Sequence, residues 1–427
     1  MFENLLHQPV SDLLREDILS NNLPNSILFN GPEYSGKTTA ALELARVISC
    51  QGNGDWTCKC SSCIKHKLLS HPDVLITGSQ NCPLEIRACA GTFLKTRTQS
   101  TCFLFVRSVR KLIQRFNPVL WEEEESKISK AAGIINGIQN SLEELNPLGV
   151  LPDGDSLDKM VRGIVSDCEK INSDFLPRQL PVNQVRKISF WAHSAPVGKK
   201  KVVIIENADE MAESARNAFL KLLEEPPTDL EIILLTTKRG SIMPTILSRV
   251  RTYSFIDRSV EQENEVLNRV FHYSQEESSG LKSFFYSYLP VSLKDIEKAA
   301  ALLLQAVVNR VIDEGKKPSP AISEGIHSVL SEEVFLNNEI PDFDNAVPVI
   351  FEMLNKFSPD LIFTLFMQKI LYVISRSCRQ KQFISRDGEI ADKAMGIIRE
   401  AYRSYSVYNI SISNILEKLA LDIFDLF

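Results

Sequence analysis

The sequence has no surplus of positive charge. Its 427 residues include 48 Lys and Arg against 54 Asp and Glu, which gives a formal net charge of −6. A protein that holds nucleic acid by charge alone needs an excess of Lys and Arg to neutralise phosphates. The composition therefore excludes that class of protein, and any contact with DNA has to be local or shared with partners.

Internal repeats and low-complexity tails are also missing. The first residues, MFENLLHQPVSDLL, include acidic side chains and no long apolar run, unlike a secretory signal or a membrane anchor. We therefore expect a cytoplasmic protein. A chain of this length that is 44% hydrophobic and 24% charged can bury more than one core, so we expect two to four domains.

Strands and helices alternate over much of the first 255 residues. A short apolar strand at 26–29 runs through a glycine loop into a helical segment. Two further strands, in KVVIIENAD and EIILLTT, flank a helical segment that stops at Pro226-Pro227. This alternation predicts a parallel sheet with helices on both faces. The stretches 79–180 and 256–427 have helical periodicity instead, which predicts an inserted helical module and an all-helical second half.

A phosphate-binding loop is indicated by GPEYSGKT, residues 31–38. The segment matches GxxxxGK[ST] at every fixed position and lies between a strand and a helix. Backbone N–H groups cradle phosphates in such loops, Lys37 would reach the outer phosphates, and the Thr38 hydroxyl would help to hold Mg²⁺. A chance match in a glycine turn is the alternative. The residues that we expect to bind ATP are Gly31, Pro32, Ser35, Gly36, Lys37, Thr38 and Thr39.

Hydrolysis of ATP needs a pair of carboxylates at the end of a neighbouring strand, one to hold the metal and one to orient water. The stretch at that place reads IIENAD, where Glu206 could reach Mg²⁺ but Asn207 cannot act as a base. We therefore expect weak ATPase activity or none. A solvated carboxylate without a function is the alternative for Glu206.

Four of the nine cysteines lie in ISCQGNGDWTCKCSSC, directly after the helix of the phosphate loop. Four thiolates within about one loop can close a tetrahedral structural Zn²⁺ site, and the clustering fits a metal site in a reducing compartment better than a disulfide framework. The spacing Cys58-Lys-Cys60 is shorter than is usual between zinc ligands. Reduced surface cysteines without a metal are the alternative. The expected ligands are Cys50, Cys58, Cys60 and Cys63.

The inserted module carries a row of basic residues, namely Arg107, Arg110, Lys111 and Arg115, close to several aromatic residues. A face that contacts DNA is one interpretation, because basic and aromatic side chains together can follow a nucleic-acid strand. An acidic run at 122–125 follows at once. We therefore favour ordinary helical packing or a subunit contact.

In combination, these motifs resemble the AAA+ subunits of bacterial DNA polymerase III clamp loaders, delta-prime most and gamma/tau next. The resemblance covers most of residues 1–255 apart from the insert. It implies an α/β AAA+ P-loop domain with a helical insert, a small helical lid and an all-α collar domain. The segments that carry it are the phosphate loop, the cysteine cluster, His71-Pro72-Asp73, VNQVR, IIENADEMAESARNAFLKLLEEPP, ILLTT and MPTILSRV.

The resemblance also implies roles for particular residues. Thr237 would occupy the first sensor position, Glu206 the catalytic strand, and Arg249 would be an arginine finger presented to ATP on a neighbouring subunit. A surface salt bridge is the ordinary alternative for Arg249. Val250 stands where the family motif has Cys, and Asn207 departs from the Asp-Glu pair of motor subunits, which favours delta-prime.

The resemblance implies membership in a hetero-oligomeric ring with gamma/tau and delta subunits, which loads a sliding clamp onto primed DNA and uses ATP, Mg²⁺ and structural Zn²⁺. Three alternatives stay open: a gamma/tau-type motor, a stand-alone AAA+ ATPase that forms homo-oligomers, and a metal-organised scaffold that binds no nucleotide. The expected domains are the first part of the AAA+ domain at 1–79, the insert at 80–180, the second part at 181–256, the lid at 257–300 and the collar at 301–427.

Overall fold

The computed structural model describes residues 1–78, 83–122, 124–145, 151, 154–273, 280–318, 320–330, 334, 340–357, 360–377, 385–406, 408 and 410–426. These residues form two compact units, Met1–Tyr288 and Leu289–Phe427. The expected boundary between lid and collar at residue 300 falls inside one continuous helix, Leu293–Asp313, which belongs wholly to the second unit.

Five strands form a parallel sheet in the first unit. In chain order they are β1 (Ser26–Asn30), β2 (Val74–Gly78), β3 (Lys201–Glu206), β4 (Leu230–Thr236) and β5 (Arg251–Ser254). Their order across the sheet is β2-β3-β4-β1-β5, and every neighbouring pair is parallel. Strands β2, β3 and β4 are buried along their whole length, as expected of a parallel sheet that is covered on both faces. The predicted sheet is confirmed.

Thirteen helices are described in the first unit. They are α1 (Val10–Leu19), α2 (Lys37–Ser49), α3 (Ser61–Lys67), α4 (Pro83–Thr96), α5 (Gln99–Ile113), α6 (Pro118–Trp121), α7 (Glu125–Glu144), α8 (Gly154–Phe175), α9 (Val182–Ala192), α10 (Glu213–Glu224), α11 (Pro244–Leu247), α12 (Val260–Phe271) and α13 (Gly280–Tyr286). Helices α4 to α8 lie between β2 and β3 in the chain. The insertion therefore is helical, as its periodicity predicts.

Local sequence explains where two of these helices end or begin. Helix α10 ends at Glu224, and Pro226 disfavours a helical conformation for the residue before it. Helix α12 begins with a capping box, in which the Ser259 hydroxyl accepts from the Gln262 N–H and the Gln262 side chain accepts from the Ser259 N–H. These signals set the end of α10 and the beginning of α12.

The core beneath the phosphate loop is formed by α2 and the central strands. Ala40, Ala41 and Leu44 on α2 are fully buried in the same cluster as Phe29 of β1. Alanine side chains let the helix approach the sheet closely, and burying apolar surface contributes about 25 cal/mol per Å². The loop is therefore held at both of its ends by packed elements.

The second unit is helical in its described residues. Its helices are α14 (Leu293–Asp313), α15 (Pro320–His327), α16 (Phe343–Met353), α17 (Leu361–Ser377), α18 (Ser385–Ser406) and α19 (Ile412–Phe424). Helix α14 is buried along most of its length, and the Phe357 ring packs against Phe363 and Phe366 at 5.9 and 5.3 Å. The predicted helical second half is confirmed. Among the described residues, none of the helices combines the length and hydrophobicity needed to span a membrane.

Candidate functional site

Two glycines in the phosphate loop are required by its geometry. Gly36 adopts φ +94°, and a Cβ atom there would lie 2.9 Å from Leu5 Cδ1. A Cβ atom on Gly31 would lie 2.6 Å from Phe255 Cβ. A larger residue at either position would have to move its neighbours, and at Gly36 it would also strain the backbone. The loop therefore turns tightly from β1 into the amino-terminal end of α2, where backbone N–H groups can bind an anion.

A cavity of about 460 Å³ opens at this loop, which is large enough for a nucleotide. Five of the seven residues expected to bind ATP line it: Ser35, Gly36, Lys37, Thr38 and Thr39. Gly31 and Pro32 lie in the loop but not among the described lining residues. The rest of the wall includes Glu206 at the end of β3, Asn207 directly after it, charged residues of the insert, and apolar side chains of α12 and α13.

The Lys37 ammonium group lies over the loop. It donates a hydrogen bond to the Gly31 carbonyl oxygen at 2.8 Å and another to the Pro32 carbonyl oxygen. Burial lowers the pKa of Lys37 to about 8, against the attraction of Glu33 and Asp209. The group is therefore still mainly protonated at neutral pH and can act as a point charge for phosphate.

Glu206 joins the phosphate loop to the insert. Its Oε1 accepts a hydrogen bond from the Thr38 hydroxyl at 2.8 Å, and its Oε2 forms a salt bridge with Arg115 of the insert. Burial would raise the pKa of this carboxyl, but Arg115 and Lys111 outweigh burial and lower it to about 2. Glu206 is only 9% exposed. It is therefore a buried, ionised carboxylate and not a solvated one.

The residues expected to hold Mg²⁺ do not form an open metal site. Thr38 and Glu206 are bonded to each other, and the second oxygen of Glu206 already has a cationic partner in Arg115. A divalent ion ligated by this carboxylate would compete with the guanidinium. The arrangement as it stands does not fit Mg²⁺.

The basic row of the insert faces into the protein. Arg107 donates to the Lys67 carbonyl oxygen at 2.7 Å, Arg110 donates to the Leu68 carbonyl oxygen at 3.2 Å, and Lys111 pairs with Glu85. These contacts support helical packing, the interpretation that the sequence favours, over a face that contacts DNA. Arg107, Lys111 and Arg115 also line the cavity, which the sequence did not indicate.

The two threonines at the end of β4 differ in their surroundings. Thr236 is 1% exposed, and its hydroxyl donates to Asp209 at 2.6 Å. Thr237, the residue expected at the sensor position, is exposed and does not appear among the described residues that line the cavity. Thr236 is thus bonded to Asp209, whose negative charge partly offsets the effect of burial on the pKa of Lys37.

Arg249 lies apart from the chain's own cavity. Its Nη2 is 2.8 Å from Glu224 Oε1, and its Nη1 donates to the Thr245 carbonyl oxygen at 2.8 Å. The side chain is one-third exposed and is not among the described lining residues. The surface salt bridge is thus present in the chain, and the guanidinium remains accessible to a neighbouring molecule.

Arg258 is a further residue of the site that no motif indicates. Its guanidinium donates to the carbonyl oxygens of Tyr34 and Ser35 in the loop, at 2.9 and 3.1 Å, and to that of Leu6. It also lines the cavity. This arginine therefore connects the amino-terminal segment and the start of α12 to the phosphate loop.

The four clustered cysteines converge. The Sγ atoms of Cys50, Cys58, Cys60 and Cys63 all lie within 4.8 Å of one another. Zn–S bonds of about 2.3 Å in a tetrahedron require sulfur atoms this close. The short spacing around residue 59 is accommodated because Cys60 caps α3, accepting the Cys63 N–H at 3.4 Å. The donor set fits a structural Zn²⁺ ion and leaves no position for a reacting group.

Comparison with known proteins gives two kinds of match. The family model described as "DNA polymerase III, delta subunit" matches residues 6–141 and 150–259. The delta-prime subunit of DNA polymerase III from Pseudomonas aeruginosa is 40% identical over 73 residues, which are 17% of this chain and 22% of that protein.

Two other relatives match over similarly short segments. The delta-prime subunit from Bacillus subtilis is 39% identical over 72 residues, 15% of this chain and 22% of that protein. The gamma/tau subunit from Mycobacterium tuberculosis is 37% identical over 75 residues, 17% of this chain and 13% of that protein. The matched segments thus span less than a quarter of these relatives, whereas the family model covers more than half of the chain. The chain belongs to the family described as DNA polymerase III, delta subunit.

Proposed function

We propose that this chain is a delta-prime-like subunit of a DNA polymerase III clamp loader. In this role it joins gamma/tau and delta subunits in a hetero-oligomeric ring and helps the ring to load a sliding clamp onto primed DNA. Its family membership and its resemblance to delta-prime and gamma/tau relatives support the proposal. Contact with DNA comes through the complex, consistent with the net charge of −6.

The observation that carries the proposal is the separation of Arg249 from the chain's own phosphate loop. Arg249 is accessible, and its partners among the described residues are exposed, so it can leave Glu224 for a phosphate on a neighbouring subunit. A guanidinium is always charged and can fork onto phosphate oxygens. The chain's own cavity, by contrast, has Asn207 where a base would be needed. We infer that the chain assists hydrolysis elsewhere more than it performs it.

The phosphate loop and the cysteine cluster would each hold a cofactor. ATP would bind at the 31–38 loop and turn over slowly or not at all, with Lys37 and the loop amides on its phosphates. Zn²⁺ would bind the four thiolates and hold the segment after α2 in shape, as structural zinc ions do. Mg²⁺ at Thr38 and Glu206 would have to displace Arg115. Thr237 remains a proposed sensor only if its side chain turns towards nucleotide in the assembled ring.

We retain the expected domains as part of this proposal, except that the boundary between lid and collar moves from residue 300 to the start of the second unit at Leu289. The lid is the segment that begins at 257, and its helices α12 and α13 line the cavity. The helices of the second unit would form the collar that joins the subunits. The gamma/tau-type motor stays a second candidate, because the relative from Mycobacterium tuberculosis matches as long a segment as the delta-prime relatives do.

The test is ATP hydrolysis by the reconstituted complex, stimulated by clamp and primed DNA. Arg249→Ala should lower the rate about 10³-fold or more, as expected of a lost arginine finger, whereas Lys37→Ala should change it less than about twofold. The reverse order of effects would identify a motor subunit instead. Failure to assemble with clamp-loader partners, together with ATP-dependent homo-oligomers, would identify a stand-alone ATPase.

A further inference from the structure

The insert contributes a buried arginine to the phosphate-loop cavity. Arg115 is 3% exposed and lies in a short 3-10 helix, Gln114–Phe116, that follows α5. Its backbone carbonyl oxygen accepts a hydrogen bond from Trp121 Nε1 at 2.8 Å, and the Trp121 ring stacks on Phe116 at 5.5 Å. The packing of the insert therefore fixes the position of Arg115.

The Arg115 guanidinium lies beside the protein groups that would be expected to bind a divalent cation. The loop hydroxyl of Thr38 and the strand-end carboxylate of Glu206 are the two protein groups that a phosphate-loop Mg²⁺ would use. In this chain the Glu206 carboxylate accepts hydrogen bonds from both the Thr38 hydroxyl and the Arg115 guanidinium. A guanidinium has five N–H donors, so it can bind a carboxylate and phosphate oxygens together.

The charge of the cavity also suits a polyphosphate without a metal. Its described lining includes five cationic side chains, namely Lys37, Arg107, Lys111, Arg115 and Arg258, and two carboxylates, Glu85 and Glu206. A divalent ion at a nucleotide normally neutralises phosphate charge. Here the protein already brings an excess of positive charge to the same space.

We propose that Arg115 takes the place of the divalent cation in this cavity, so that the site binds a nucleoside di- or triphosphate without Mg²⁺. The proposal rests on the proposed function, since it requires that the cavity holds a nucleotide. It adds that the insert is part of the nucleotide site. It also explains physically why such a site would hold nucleotide without turning it over, because no metal-bound phosphate is positioned for attack.

The experiment is equilibrium binding of ATP to the full chain, measured by calorimetry in excess EDTA and in excess Mg²⁺. The wild-type dissociation constants should differ by less than about threefold. Arg115→Met should weaken binding in EDTA by about tenfold or more, which corresponds to 1.4 kcal/mol. Arg110→Met is the matched control, because Arg110 lies on the preceding helix and is not among the described residues of the cavity, and it should leave both constants unchanged.

Glu206→Gln separates the two arrangements by the sign of its effect. If Glu206 is a metal ligand, the amide weakens binding in Mg²⁺. If Glu206 holds Arg115, the amide releases the guanidinium, and affinity in Mg²⁺, like affinity in EDTA, is unchanged or higher. Should Arg115→Met fail to fold because Glu206 is left buried and unpaired, the double variant Arg115→Met/Glu206→Gln removes both charges and keeps the measurement possible.

The outcomes distinguish this inference from the proposed function. Wild-type binding that is at least tenfold weaker in EDTA than in Mg²⁺, with no added effect of Arg115→Met, overturns the role of Arg115 but leaves a nucleotide site. No binding of ATP in either buffer overturns the nucleotide site itself, and the role of Arg115 with it. Metal-independent binding that depends on Arg115 supports both.

Discussion

The guanidinium of Arg249 lies 2.8 Å from the carboxylate of Glu224, the last residue of α10. Both side chains are partly exposed, at 33% and 50%. Exposed ion pairs contribute little to stability, because water and salt screen them and two long side chains must be ordered. The pair can therefore be broken at low cost when Arg249 is needed elsewhere.

The first prediction concerns the stability of this pair. Arg249→Ala should change the free energy of unfolding of the isolated chain by less than about 1 kcal/mol, measured by urea denaturation. In the reconstituted complex, the same variant should lower the rate of ATP hydrolysis about 10³-fold or more. Glu224→Gln is the control for the salt bridge alone and should have a similarly small effect on stability. A loss of several kcal/mol in Arg249→Ala would mean that this arginine is structural.

The phosphate loop could be predicted from the sequence because its determinants are contiguous. The eight residues 31–38 specify the turn, and the neighbouring strand and helix are visible as short-range patterns. The cysteine cluster could be predicted for the same reason. The parallel sheet required only that strands and helices alternate.

The contribution of the insert could not be predicted in this way. Arg115 and Glu206 are 91 positions apart, and their contact depends on how several helices pack against the sheet. Helical spacing showed that the basic residues share a face but not which way the face points. The surroundings of Thr237 could not be predicted either, since successive side chains of a strand point to opposite faces and a shift of one position reverses burial and exposure.

The second prediction concerns zinc. The purified chain should contain one Zn²⁺, and Cys60→Ser should lower the metal content and the melting temperature together, because a structural metal adds its binding energy to folding. Metal content is measured by plasma mass spectrometry and melting by calorimetry. Cys102→Ser is the matched control: Cys102 is buried in α5, outside the cluster, so its metal content should not change. An unchanged zinc content in Cys60→Ser would contradict the four-thiolate site.

The third prediction concerns the support of the cluster by Arg46. This side chain is 1% exposed, pairs with the equally buried Glu43 at 2.6 Å and donates a hydrogen bond to Cys63 Sγ at 3.2 Å. Groups that hydrogen-bond to metal ligands orient them and tune metal affinity. Arg46→Met should therefore speed the release of zinc to a chelator about 10-fold or more and destabilise the chain by about 3–5 kcal/mol, since Glu43 is left buried and unpaired.

A double variant separates the two effects of Arg46. Arg46→Met/Glu43→Gln removes both members of the buried pair and should recover much of the lost stability, while zinc release stays fast. Release is followed with a metal-sensitive dye, and stability by urea denaturation. Lys59→Met, on an exposed side chain between two of the cysteines, is the control and should behave like the wild type. Recovery of slow zinc release in the double variant would show that Arg46 acts through the fold alone.

The fourth prediction concerns Glu231, a fully buried carboxyl in β4. Its Oε2 atom is 3.4 Å from Lys200 Nζ, and its Oε1 atom has no hydrogen-bond partner among the described residues. Burial raises the pKa of Glu231 to about 7, above the value of 4.5 that is usual for the residue, and Lys200 offsets burial only in part. The folded chain therefore keeps a proton that the unfolded chain loses in this pH range.

It follows that stability should fall as the pH rises from about 4.5 to about 7, because the unfolded carboxyl ionises freely while the folded one must ionise in a buried site. Glu231→Gln abolishes this titration. Relative to the wild type, the variant should gain on the order of 2–3 kcal/mol between pH 4.5 and pH 8, measured by urea denaturation at both values. Glu16→Gln, on an exposed side chain of α1, should show no such gain. A stability difference between Glu231→Gln and wild type that is the same at both pH values would mean that Glu231 stays ionised in the sheet, held by Lys200.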